Sequence, residues 1–173
     1  MTEVLSSSTL SSPEKPVAIV RHIDDIPTYY GLHDKREVKI LFDDDFGGAK
    51  NCAVEYIIYQ KGDEVEMHKH DDSEHAFIIL KGRGFFECDS GRYQIREGSV
   101  MFIPKGANHR IGNDSDGEMV LLEIFAPPTQ SRKTGLATCY AIPQWSKYYN
   151  EDLAKRKDTF AKSKGLYPRN QTA

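Results

Sequence analysis

The sequence predicts an all-β fold, a barrel or sandwich of many short strands, and three observations predict it. Short runs rich in Val, Ile, Phe and Tyr recur from residue 17 to residue 128. The breaks between them carry Gly, Asp, Asn and Pro. The 173 residues are enough for one substantial core but few for two. Strands of this kind bury their apolar faces by closing on one another.

Taken in order, the expected strands are "VAIVRHI" from Val17, "EVKILF" from Glu37, "AVEYIIYQ" from Ala53 and "EVEMHKH" from Glu64. They continue with "HAFIILKG" from His75, "GFFECD" from Gly84, "GRYQIRE" from Gly91, "SVMFIP" from Ser99, "HRIGN" from His109 and "EMVLLEIF" from Glu118. Turn residues justify the breaks: "DDDFGGAKN" after Phe42, "QKGD" after Tyr59, and the short stretches Asp-Ser-Gly, Glu-Gly and Pro-Lys-Gly further on. The acidic "DDDFGG" at 43–48 lacks the glycine placement of an EF-hand loop and reads as a solvated turn. Tyr56 and Tyr59 fall on opposite faces of their strand, so at most one looks inward, and Arg83 follows a glycine at a surface turn.

Three segments follow from composition: a disordered arm over 1–16, rich in Ser, Thr and Pro; the β-barrel over 17–128; and an extension over 129–173. In the extension "SKYYNEDLAKRKDTFAKSKG" predicts one helix. Asn150 is the cap, Glu151 and Asp152 occupy the first turn and Gly165 the stop, while Tyr149, Leu153 and Phe160 form the stripe that packs on the barrel wall.

Charge is mixed along the chain, with a formal net charge of -3, so there is no basic footprint for nucleic acid. The N-terminus lacks the basic start and apolar run of a signal peptide, and no segment is apolar for long enough to cross a bilayer. Cys52, Cys88 and Cys139 are scattered, odd in number and distant from the histidines, which suits unreactive thiols in a reducing compartment. The expectation is a soluble cytoplasmic protein with neither nucleic-acid nor membrane partners.

The chemistry-bearing residues are histidines. Four of the six lie in two turn-bounded segments, His68, His70 and His75 in one and His109 in the other. Residues two apart on a strand share a face, so His68 and His70 can reach one ion, with Lys69 turned away. On the next strand only one of Glu74 and His75 can face the same centre. Imidazole suits Zn, Fe, Ni, Cu and Mn alike, so spacing predicts a divalent transition metal without choosing it.

These segments resemble the two motifs of the cupin family. The first, G-x5-H-x-H-x(3 or 4)-E-x6-G, matches at Gly62, His68, His70 and Gly82; the second, G-x5-P-x-G-x2-H-x3-N, matches at Gly98, Pro104, Gly106, His109 and Asn113. The resemblance implies a jelly-roll barrel of six to eight strands, paired into homodimers, with a metal near its centre. Where cupins usually carry Glu, this chain has His75, with Glu74 one residue off register. Histidine there occurs in small cupins with four histidine ligands, so the implied set is His68, His70, His75 and His109, with Glu74 in reserve.

Four neutral imidazoles favour anionic oxygen ligands, and the resemblance puts a mononuclear Fe(II)-type dioxygenase first, with Mn, Ni, Zn or Cu as other metals. Glu123 breaks the apolar strand "EMVLLEIF", sharing a face with Met119, Leu121 and Phe125, and a desolvated carboxylate there suits a general acid or base. The ending also resembles small cupins that convert unsaturated uronates, in which residues at the places of Glu123 and Phe125 belong to the active site. Thr129 stands where that group has Arg, and Arg132 lies further on. The alternatives are therefore a non-redox lyase or isomerase acting through Glu123 on a sugar acid or keto/enol substrate, and a non-catalytic module that binds a small ligand.

Overall fold

The computed structural model describes residues 18–32, 34–129 and 140–141. The strands are β1 (Tyr29–Gly31), β2 (Glu37–Phe42), β3 (Ala53–Tyr59), β4 (Glu74–Lys81), β5 (Arg83–Cys88), β6 (Gly91–Arg96), β7 (Val100–Ile103), β8 (His109–Gly112), β9 (Met119–Ala126) and β10 (Tyr140–Ala141). They form two antiparallel sheets. Seven strands run in the order β10-β1-β2-β3-β9-β4-β7, and three in the order β6-β5-β8. The non-sequential order sets β9 between β3 and β4, while β8, which begins at His109, belongs to the smaller sheet.

Alternation explains which faces meet. On β3 the inward residues are Ala53, Glu55, Ile57 and Tyr59, all buried; on β9 Met119, Leu121 and Phe125 are buried on the corresponding side. They enclose a core with Val38, Ile40, Phe77, Ile79, Phe86, Ile95, Ile103 and Ile111. Of the two tyrosines on opposite faces Tyr59 is the one that looks inward, and Arg83 is exposed, as the turn predicts.

Two motif residues hold the frame. Gly82 has φ of 81°, and a Cβ there would stand 2.2 Å from the Glu118 carbonyl oxygen, so only glycine lets the turn between β4 and β5 lie against β9. Asn113 is buried and joins three segments: Nδ2 donates to the Tyr59 and Gly117 carbonyls at 2.9 and 2.7 Å, and Oδ1 accepts from the Ser115 amide and hydroxyl.

The fold expectation needs correction. Among the described residues there is no α-helix, only a 3-10 turn at Ile23–Asp25, so the architecture is all-β without the helix expected after the barrel; residues 150–165, where that helix was expected, lie outside the described residues, as does the arm 1–16. What the extension does contribute is β10, which pairs with β1. The expected first strand is also absent: residues 18–22 form no strand, Val20 is 94% exposed, and His22 instead caps the short turn by accepting from the Asp24 amide. A run with no pairing partner stays out of a sheet however β-prone its residues are. "DDDFGG" is the predicted turn, with Asp43 Oδ1 accepting the Asp45 and Phe46 amide hydrogens.

Candidate metal centre

His68 and His70 do not lie on a continuous strand. The segment from Glu64 follows β8 through isolated bridges, Glu64 with Gly112 and His68 with His109. The His68 and His109 backbones exchange two hydrogen bonds, at 3.0 and 2.8 Å, which sets their rings 4.4 Å apart. Gly106, with φ of 78°, donates its amide to the His70 carbonyl at 2.8 Å; thus the Pro-Lys-Gly turn of the second motif clamps the first. The shared-face argument survives because the segment is extended, even though its pairing is broken.

The outcome is one cluster: His68, His70 and His109 each offer a nitrogen, all within 4.8 Å of one another. Hydrogen bonds assign the tautomers. His68 Nδ1–H donates to the Glu66 carbonyl at 2.8 Å and His109 Nδ1–H to the Ala107 carbonyl at 3.0 Å, so both leave Nε2 as a lone pair. His70 Nε2 is buried and makes no hydrogen bond. Burial pushes His70 down to about 3 and His109 to about 4, and neighbouring histidines add to both, so these imidazoles are neutral at pH 7. Neutral imidazoles oriented by backbone carbonyls and converging on one point fit a transition-metal ion.

His75, on β4, is 1% exposed, whereas Glu74 points to solvent, so the inward residue is the histidine. It is not a member of the three-nitrogen cluster. Its Nδ1 stands 3.0 Å from His109 Nε2, and its Nε2 stands 2.7 Å from Glu123 Oε1. Burial pushes His75 to about 3 as well, so Nε2–H donates to the carboxylate and Nδ1 is an acceptor. Two acceptor nitrogens then face each other, which is repulsive unless a cation lies beside them. Phe125 stacks on the His75 ring at 4.3 Å and 15° and meets His70 edge-on at 5.3 Å, fixing both orientations. Glu123 is nearly buried, its side chain 14% exposed.

The sequence reading missed Glu55. It is 4% exposed, on the inner face of β3, directly opposite Glu123 in the β3–β9 register. The signal was available: like Glu123, Glu55 breaks the apolar face of its strand, shared with Ala53, Ile57 and Tyr59.

The cupin-domain family profile matches residues 55–125. An uncharacterised protein of Methanocaldococcus jannaschii is 28% identical over 96 residues, 56% of this chain and 76% of that protein. An oxalate-binding protein of Thermotoga maritima is 30% identical over 64 residues, 37% of this chain and 53% of that protein. The crystal structure of a predicted oxalate decarboxylase from Thermotoga maritima superposes with a TM-score of 0.57 at 22% identity, covering 64% of this chain and all of that one, a likeness of fold. Among the described residues no helix is long and apolar enough to cross a membrane.

Proposed function

Proceeding from a chain that belongs to the cupin superfamily, we propose that it is a metal-dependent enzyme for a small, oxygen-rich, anionic metabolite, working by proton transfer as a lyase or isomerase. The observation that carries this reading is the 2.7 Å hydrogen bond between His75 Nε2 and Glu123 Oε1, which ties a nearly buried carboxylate to the histidine cluster.

His68, His70 and His109 would hold one divalent transition metal. When bound, such an ion supplies Lewis-acid polarisation of a substrate oxygen. The chain's own residues do the rest. Phe125 holds the His75 ring in plane; His75 Nε2–H holds the Glu123 carboxylate toward the centre; and Glu123 takes a proton from the substrate carbon or hydroxyl at a carboxylate oxygen and returns it to the product. The core residues Ile103 and Phe77, each packed beside His75 in the β4–β7 sheet or on its ring, keep bulk water from that exchange. The oxalate-binding relative supports a carboxylate-bearing ligand class.

A second reading, oxygenation with Fe(II), is favoured by one observation: His75 Nδ1 is 3.0 Å from His109 Nε2, close enough for His75 to join the three histidines as a fourth ligand to a metal they would hold. Elemental analysis followed by turnover of small keto and hydroxy acids with and without oxygen tests the two. Turnover in nitrogen, lost by about 10²- to 10⁴-fold in Glu123→Gln with the metal retained, is the expected result. Oxygen uptake that Glu123→Gln leaves intact overturns it in favour of the oxygenase, and a protein that binds metal and ligand without turnover is a binding module.

A further inference from the structure

Two edges of the sheets differ in kind. The three-stranded sheet ends at β6, whose exposed Arg92, Gln94 and Arg96 discourage another strand from pairing there. The seven-stranded sheet ends at β7, and there the exposed side chains are apolar: Val100 is 69% exposed and Phe102 64%, with Leu80 near the end of β4 at 42%. The backbone is open in the same place. The Ile79 amide donates to the Ser99 carbonyl at 2.9 Å, which makes Phe77–Met101 and His75–Ile103 the hydrogen-bonded pairs of the β4–β7 ladder. Val100 and Phe102 alternate with them, so their N–H and C=O groups point away from β4. Among the described residues no strand pairs with that edge, and β7 carries neither charge nor proline. An apolar strand edge of this kind accepts another strand.

What fits the edge is a second copy of β7. Turned antiparallel about a two-fold axis at Met101, Val100 of one copy meets Phe102 of the other, so every edge N–H finds an edge C=O and the apolar side chains lie side by side. Charge favours the same register. Glu97 stands four residues before Met101 and Lys105 four residues after it, both exposed, and neither is ion-paired among the described residues. The two-fold brings the Glu97 end of each strand to the Lys105 end of the other, whereas a parallel pairing sets like charge against like. We propose that β7 is the interface between two copies of this chain, paired antiparallel about Met101 into one continuous sheet. The inference does not depend on the proposed activity, although the same strand runs into the turn whose Gly106 holds the His70 carbonyl. A strand this short is about 13 Å long, so the contact is small and the dimer is expected to dissociate at about micromolar concentration.

Sedimentation equilibrium of the full chain over about 1 to 200 µM tests it. Wild type is expected to pass from the 19.6 kDa of one chain to twice that mass across the series. Phe102→Lys removes the apolar contact, and Val100→Pro removes an edge N–H while leaving the β4 ladder its bonds; each is expected to raise the dissociation constant at least about tenfold. Glu97→Lys and Lys105→Glu each set like charges together and weaken self-association. Mixed in equal amounts, those two are expected to associate at least as tightly as wild type, a recovery that a folding defect would not show. A monomer at every concentration overturns the proposal. A dimer whose dissociation constant stays within about twofold in both Phe102→Lys and Val100→Pro overturns it as well. Charge variants that associate no better mixed than alone overturn the register about Met101.

Discussion

The two ends of the barrel bury polar groups in opposite ways. At one end Asn113 uses both amide hydrogens and its carbonyl oxygen, and Asp63 accepts the Lys35 and Gln60 amides at 3.0 and 2.7 Å. Arg36 sits over the Tyr59 ring at 5.5 Å and pairs with Asp34 through Nε at 2.8 Å, while burial pushes the Tyr59 phenol up. Donors there meet acceptors within the protein. At the other end His68, His70 and His109 turn acceptor nitrogens toward one another, and His75 adds a fourth against His109. The first arrangement is complete by itself and stabilises the fold. The second gathers nitrogens that fit a transition-metal ion, and the proposed function places the working end there.

That contrast breaks most readily by substitution at the histidine end. His109→Ala removes the residue that touches both His68 and His75. Metal bound after equilibration with one equivalent, read by elemental analysis, is expected to fall to about a tenth of wild type or less, since each lost imidazole weakens a site by orders of magnitude. Retained stoichiometric metal would remove the distinction between the two ends.

Asn113→Ala should do the reverse. It strands the Ser115 amide and removes the Asn113 bond to the Tyr59 carbonyl, while the Gly117 carbonyl keeps the Ser115 hydroxyl at 3.2 Å, so stability falls by about 1–3 kcal/mol in urea denaturation. Metal affinity of the folded fraction stays within a few-fold of wild type. A loss of metal without loss of stability would place Asn113 at the site instead.

A further effect is graded, and pH reads it. His70, His75 and His109 are held to about 3, 3 and 4, below the ordinary 6.5 of the unfolded chain. Below 6.5 the unfolded chain takes up protons that the native barrel refuses, so stability present above that pH is lost as pH falls toward 4. The upper limit is about 1.4 kcal/mol per pH unit for each histidine. Thermal unfolding of the metal-free protein at pH 7.5 and 5 is expected to show this drop, and Asn113→Ala should add a constant offset without changing the slope. A flat profile would mean the histidines are not held neutral.

Much of the fold was legible because its determinants are local. Turn residues such as Gly82 and Gly106 have backbone angles that favour glycine, and alternation limited each pair, Tyr56 and Tyr59 or Glu74 and His75, to one inward member, which the structure shows to be Tyr59 and His75. The run from residue 18 to residue 22 was misread because strand propensity is necessary for pairing without being sufficient. The helix expected over 150–165 is no part of the described all-β fold.

By itself, then, the sequence determined most of the strand spacing and the three histidines, His68, His70 and His109, that lie together, since each follows from a period of two or from a motif a few residues long. Tertiary structure alone decided which strands are neighbours. The insertion of β9 between β3 and β4 places Glu123 against His75 and sets Glu55 opposite Glu123. Periodicity says which face a residue occupies, but register across strands distant in sequence depends on how the whole sheet closes, and that register sets two carboxylates far apart in the chain directly opposite each other.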